Sequence, residues 1–194
     1  TLIENADTAM YDAKEKGRDN CQFFTEDMNI RMVERQAVEA SLRHALENGE
    51  FVLHYQPKVN LGSGTITGVE ALLRWNHPEW GMVLPARFVP VAEDCGLILP
   101  IGRWVLREAC MQAKGWMSAG LRRVLISVNI SALEFGQKDF VAGVREILAE
   151  AGLPAQWLQL EITESVLMRD AEANSAILKQ LKDIGVQLAV DDFG

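Results

Sequence analysis

Val124-Leu125-Ile126-Ser127-Val128-Asn129-Ile130 is an apolar, β-branched run interrupted at alternate positions by Ser127 and Asn129. Its length and composition predict a strand. Runs of similar kind occupy 51–59, 68–75, 158–163 and 186–190. Helical patterns fall at roughly 85–95, 101–117, 139–151 and 171–184. The first two strands are too close together for an intervening helix, and Leu61-Gly62-Ser63-Gly64 between them predicts a hairpin-like connection. The remaining order alternates strand and helix, which implies a parallel sheet with crossover helices. A (β/α) barrel and an open doubly wound sheet both fit this α/β pattern.

Upstream of residue 51 the pattern is different. Residues 5–16 read as a helix with Ala6, Ala9, Met10 and Ala13 on one face and Gly17 as a stop signal. The apolar patch 21–24 reads as a short strand. A second helix is expected over 26–48, ended by Asn48-Gly49.

Composition narrows the function. The 194 residues are 48% hydrophobic and 24% charged, enough for one domain or a domain plus a fragment. A net charge of −8 repels polyanions, so no nucleic-acid polymer is expected as a partner. A small anionic ligand remains compatible if cations or placed arginines supply the positive charge. Cys21, Cys95 and Cys110 are odd in number and widely spaced, which argues against disulfides and thiolate metal sites. Cys95 and Cys110 read as buried thiols. His44, His54 and His77 match no ligand spacing, and the tryptophans read as packing residues. No run is long enough for a membrane span, and Thr1-Leu2-Ile3-Glu4 does not open a signal peptide. A cytoplasmic setting is expected, and the Thr1 start leaves room for an upstream membrane anchor.

The later strands carry polar residues near their carboxyl ends. Glu70 and Arg74 share one face of their strand, as do Ser127, Asn129 and Ser131, then Gln159, Glu161 and Thr163, then Gln187 and Asp191, with Asp192 next. Asn129 to Glu161 is 32 positions and Glu161 to Asp191 is 30, one βαβ unit each. Equivalent residues on adjacent parallel strands are expected side by side, so this set can converge on the carboxyl rim of the sheet. Two carboxylates about 5 Å apart repel by about 3 kcal/mol at an effective dielectric near 20, so protons or cations must relieve the crowding. Oxygen donors without His or Cys favour Mg²⁺ or Mn²⁺, and a bridging Asp between two such ions suits phosphodiester hydrolysis. Singly, each carboxylate reads equally well as a helix cap or a solvated rim residue, and Asp191-Asp192-Phe193-Gly194 as turn chemistry. Recurrence in register on four strands is what those readings explain poorly.

These residues resemble a known family. Gly68-Val69-Glu70-Ala71-Leu72-Leu73-Arg74-Trp75 contains the signature tripeptide of EAL-type cyclic-di-GMP phosphodiesterases. Around it stand Leu53-His54-Tyr55-Gln56-Pro57-Lys58-Val59, His77-Pro78-Glu79, Ala92-Glu93, Val128-Asn129-Ile130-Ser131, Leu160-Glu161-Ile162-Thr163-Glu164-Ser165 and Asp191-Asp192-Phe193-Gly194. The resemblance covers about residues 30–194. It implies a TIM-like barrel with an antiparallel first strand, hydrolysis of cyclic-di-GMP to linear pGpG, and a two-metal Mg²⁺ or Mn²⁺ site. By motif, Glu70, Asn129, Glu161, Asp191 and Asp192 match metal ligands, with Glu70, Asp191 and Asp192 the expected catalytic set. Arg74 matches an arginine that contacts a substrate phosphate, and Gln56 falls near the substrate. Glu164 matches a glutamate that steadies the loop after its strand. A homodimer through the EAL domain is the expected assembly. The alternative is a degenerate EAL domain that senses the nucleotide without cutting it.

Ala6-Asp7-Thr8-Ala9-Met10-Tyr11-Asp12-Ala13-Lys14 with Gly17-Arg18-Asp19-Asn20 resembles the tail of a GGDEF diguanylate cyclase domain. The expected organisation is therefore that tail at 1–25, a linker helix and start of the EAL domain at 26–48 and the rest of an incomplete EAL domain at 49–194, with further sensor domains upstream. Only five of eight barrel strands fit between Phe51 and Gly194, so the barrel is expected to be truncated and this stretch alone to be inactive.

Overall fold

The computed structural model describes residues 5, 6, 9, 10, 21, 23–168 and 171–191. It divides into two compact units, Thr1–His44 and Ala45–Gly194. Helix α1 (Glu26–Ala45), all but its last residue in the first unit, begins with Glu26 and Asp27, where carboxylates favour the positive end of the helix dipole, and an Arg43–Glu39 ion pair lies along it at 2.6 Å. The helix stops three residues short of the expected 48. Glu50 N–H donates to Ala45 O at 2.9 Å, and Gly49 takes φ 66°, a left-handed stop that a glycine adopts freely. The strand expected at 21–24 does not form at its described residues: Cys21, Phe23 and Phe24 carry no regular structure. Most of the GGDEF-like stretch lies outside the described residues.

The second unit is a six-stranded sheet with helices packed on it. Strand β1 (Phe51–Val59) pairs antiparallel with β2 (Ile66–His77). The path continues through β4 (Leu125–Ile130), β5 (Leu158–Thr163) and β6 (Gln187–Asp191), all parallel to β2. A short β3 (Gly81–Val83), not expected from sequence, folds back on the end of β2. At the β1–β2 turn, Asn60 Oδ1 accepts from the Gly62 and Ser63 amides at 3.0 Å each, and Gly64 takes φ 65°. Helices α2 (Pro85–Asp94), α3 (Ile98–Ser118), α5 (Phe140–Ala151) and α7 (Ala171–Asp183) follow the sequence pattern. The short α4 (Ala132–Phe135) and α6 (Glu164–Met168) had no distinct sequence signal.

Alternation along the strands sorts the two faces. Trp75 and Ala71 on β2, Ile126, Val128 and Ile130 on β4, and Leu158, Leu160 and Ile162 on β5 are buried in the apolar core. Phe51, Trp75 and Phe88 meet there at ring separations of 5.6–6.1 Å. Trp75 Nε1 donates to Glu50 Oε2 at 2.8 Å, which satisfies the one polar atom of a fully buried indole. Cys110 lies in this layer, fully buried, and burial pushes its thiol up to about 12; Cys95 is half-buried. The opposite face carries the polar residues, and the sheet is the α/β, TIM-like arrangement with an antiparallel first strand.

Candidate functional site

The strand register places the polar residues in three rows. Gln56, Glu70, Ser127, Gln159 and Gln187 are level with one another across neighbouring strands. Asn129, Glu161 and Ala189 form the next row, two residues towards the carboxyl ends. Thr163 and Asp191 form the third. Asn129 and Glu161 are thus side by side, as their spacing predicts. Asp191 is not beside Glu161: it lies one two-residue step beyond, about 6.6 Å further along the strand direction. Tilted strands in a barrel are staggered in this sense, so the register climbs from strand to strand.

Side chains link neighbouring strands, both between rows and within one. Asn129 Nδ2 donates to Glu70 Oε1 at 2.9 Å. Ser127 Oγ donates to Gln159 Oε1 at 2.8 Å. Lys58 Nζ donates to Ser127 Oγ at 2.9 Å and forms an ion pair with Glu161, a carboxylate only 7% exposed. Nothing in the spacing of the carboxylates singles out Lys58. The available signal was its position two residues after Gln56, hence on the same face of β1.

The remaining expected residues are more dispersed. Arg74 Nη1 donates to the Leu73 carbonyl at 2.8 Å, so its guanidinium is folded back on its own strand. Gln56 is exposed opposite Glu70, and Glu164 opens α6 directly after β5. Asp192 lies outside the described residues. Among the described residues no three His, Cys, Asp or Glu side chains are grouped closely enough to hold an ion. The donor chemistry fits a hard divalent cation, since Glu70, Asn129, Glu161 and Asp191 offer only oxygen ligands from a single face of the sheet.

A cavity of about 420 Å³ opens beside this face. Asn129, Glu161 and Thr163 line it together with Pro85, Val89 and Glu93. The Glu93 carboxyl is raised by burial and by neighbouring Asp94. Glu134 closes one side. Its Oε2 accepts from Ser131 N at 3.0 Å and Ser131 Oγ at 2.5 Å, and Ser131 Oγ accepts from Glu134 N, a complete capping box for α4. Burial pushes Glu134 up to about 7 against the lowering effect of those Ser131 hydrogen bonds, with a small further rise from Glu93.

His77 has structural partners in the turn after β2. Its Nδ1 accepts from the Glu79 and Trp80 amides at 3.1 Å each, and its ring stacks on Trp80 at 3.8 Å. It builds the β2–β3 turn.

Comparison with known proteins places this arrangement. The family model of the EAL domain matches residues 39–194. The bifunctional diguanylate cyclase/cyclic di-GMP phosphodiesterase MucR of Pseudomonas aeruginosa is 48% identical over 193 residues, all of this chain and 28% of the relative. The cyclic di-GMP phosphodiesterase PdeR of Escherichia coli is 38% identical over the same span, 29% of its length. The chain therefore spans under a third of these curated relatives. The solved PaMucR phosphodiesterase in complex with c-di-GMP superposes with a TM-score of 0.79 at 49% identity, over 81% of this chain and 64% of that one. The Xanthomonas citri FimX EAL domain with c-diGMP gives 0.73 at 26% identity, over 84% and 62%. The chain belongs to the EAL domain family.

Proposed function

We propose that this chain supplies the strand-end ligand set of an enzyme that hydrolyses cyclic-di-GMP to linear pGpG. The observation that carries the reading is the placement of Glu70, Asn129 and Glu161 on one face of adjacent parallel strands, Glu70 midway along β2 and the other two near the carboxyl ends of β4 and β5, with Asn129 hydrogen-bonded to Glu70. Relatives named as cyclic di-GMP phosphodiesterases and neighbours solved with the nucleotide support the substrate class.

Glu70, Asn129, Glu161, Asp191 and Asp192 would hold Mg²⁺ or Mn²⁺. Such ions neutralise phosphodiester charge and lower the pKa of a bound water. The protein's own net charge of −8 makes that positive charge necessary for a doubly anionic substrate. Arg74 would leave the Leu73 carbonyl and present its planar fork to a phosphate, while Gln56 borders the substrate and Glu164 steadies the chain after β5. Residues 1–25 are read as the tail of a GGDEF domain, 26–48 as the linker helix and start of the EAL domain and 49–194 as the incomplete remainder of that domain, working as a homodimer in the cytoplasm beneath upstream sensor domains. No helix among the described residues is long and apolar enough to cross a membrane.

Incubation of a full-length protein that carries this chain with cyclic-di-GMP and Mn²⁺ should yield pGpG, and Glu70→Ala in it should abolish the product while leaving the thermal midpoint nearly unchanged. A Glu70→Ala protein that mainly unfolds would remove the ligand role. A second reading, a sensor that binds without cleaving, is favoured by the Lys58–Glu161 ion pair, which already compensates one ligand carboxylate. Calorimetric binding of cyclic-di-GMP in EDTA, with no product in Mn²⁺, would select it.

A further inference from the structure

Lys58 stands opposite Gly68 across the β1–β2 pair. Both are two residues from the Gln56–Glu70 pair and therefore face the polar side of the sheet. Gly68 has no side chain to project there, and a Cβ built on it would come within 3.0 Å of the Leu125 carbonyl oxygen. Lys58 reaches β4 and β5, where its ammonium meets Ser127 Oγ and the Glu161 carboxylate. Ser127 is fully buried and in turn donates to Gln159 Oε1. The antiparallel strand thus delivers a cation into the row structure of the parallel ones.

We infer that Lys58 is a positioning residue: its ammonium is a tethered counter-ion that holds Glu161 compensated and aimed until a divalent cation takes over that charge. This rests on the proposed role of Glu161 as a metal ligand. The burial of Glu161 gives the pair its importance. The Lys58 side chain is 38% exposed and that of Glu161 8%, so the ammonium reaches in from a partly solvated edge and its removal strands a buried carboxylate. Ser127 Oγ supplies the ammonium with a second acceptor, so Lys58 keeps a partner when the carboxylate turns to an ion.

The test is thermal unfolding of the full chain in EDTA and in saturating Mn²⁺ for wild type, Lys58→Met, Glu161→Gln and the double variant. In EDTA, Lys58→Met should lower the midpoint by about 5 °C, and Glu161→Gln added to it should restore most of that loss. Mn²⁺ should raise Lys58→Met by more than it raises wild type. Equal loss from Lys58→Met with and without Glu161→Gln would overturn the inference, as would a Lys58→Met protein left unrescued by Mn²⁺ that does stabilise wild type. Should Lys58→Met fail to fold in EDTA, the double variant decides: it folds if the stranded carboxylate is the cause, and its failure also overturns the inference. A wild type indifferent to Mn²⁺ would instead sink the metal-ligand reading, and the EDTA comparison would still judge the pair.

Discussion

Asn129 Nδ2 donates to Glu70 Oε1 at 2.9 Å although the two residues are not register partners: Glu70 is level with Ser127. The contact is diagonal, running one two-residue step up β4, within the reach of such side chains. Asn129 is the neutral member of an otherwise acidic set, and its amide donates where a carboxylate could only repel. Asn129→Asp should therefore lower cyclic-di-GMP turnover by the full-length protein at least 10-fold and reduce the EDTA thermal midpoint. Turnover equal to wild type at matched Mn²⁺ would show that the amide is dispensable.

Glu134 predicts a pH dependence of stability. Its folded-state pKa is raised to about 7 from an ordinary 4.5, so between those values the folded protein holds a proton that the unfolded chain releases. Stability from this group is full below about pH 4.5 and is lost as pH rises through 7, by a few kcal/mol at most, on the order of 3. Glu134→Gln keeps the S-x-x-Q form of the capping box and removes the titration. Its stability, measured in urea from pH 5 to 8, should exceed wild type at pH 8 and converge with it at pH 5. A constant difference across that range would assign the pH dependence elsewhere.

Gly102 on α3 lies against the same carboxylate. A Cβ there would fall 1.7 Å from Glu134 Oε1, whose partner oxygen is fixed by Ser131. Gly102→Ala should cost roughly 1–2 kcal/mol by overpacking. In a Glu134→Ala background the sign should reverse, because alanine is worth up to about 1 kcal/mol over glycine in a helix interior. Chemical denaturation of the two pairs separates steric conflict from backbone propensity, and equal effects in both backgrounds would refute the contact.

The cysteines should divide by burial. Cys110 is fully buried with its thiol pushed up to about 12, while Cys21 is exposed. In native buffer Cys21 should react with a thiol reagent at once and Cys110 only at the rate of unfolding. Prompt labelling of Cys110, located by peptide mapping, would contradict the packing of α3.

Much of this fold was legible because strand and helix periods differ and the apolar runs are long. The Ile126–Ile130 and Leu158–Ile162 patterns could hardly be anything but buried strands. β3 was hidden because three residues, Gly81 to Val83, carry no period, and its pairing depends on the turn built by His77. The step of Asp191 beyond Glu161 was hidden too. Sequence spacing counts residues between strands but not how far each loop carries the next strand before pairing begins. Lys58 shows a third kind of loss, since its partners are 69 and 103 residues away and become neighbours only through the pairing of other strands.

The two-residue steps between rows have a consequence for how such a chain tolerates insertions and deletions. Residues added in the connection between α7 and β6 can be taken up outside the sheet, leaving Asp191 where it is. A single residue lost within Gln187–Asp191 leaves no such freedom: every side chain before the break exchanges faces with respect to those after it. Length variation among natural chains of this kind should therefore collect before the strands, and change by pairs wherever it enters them.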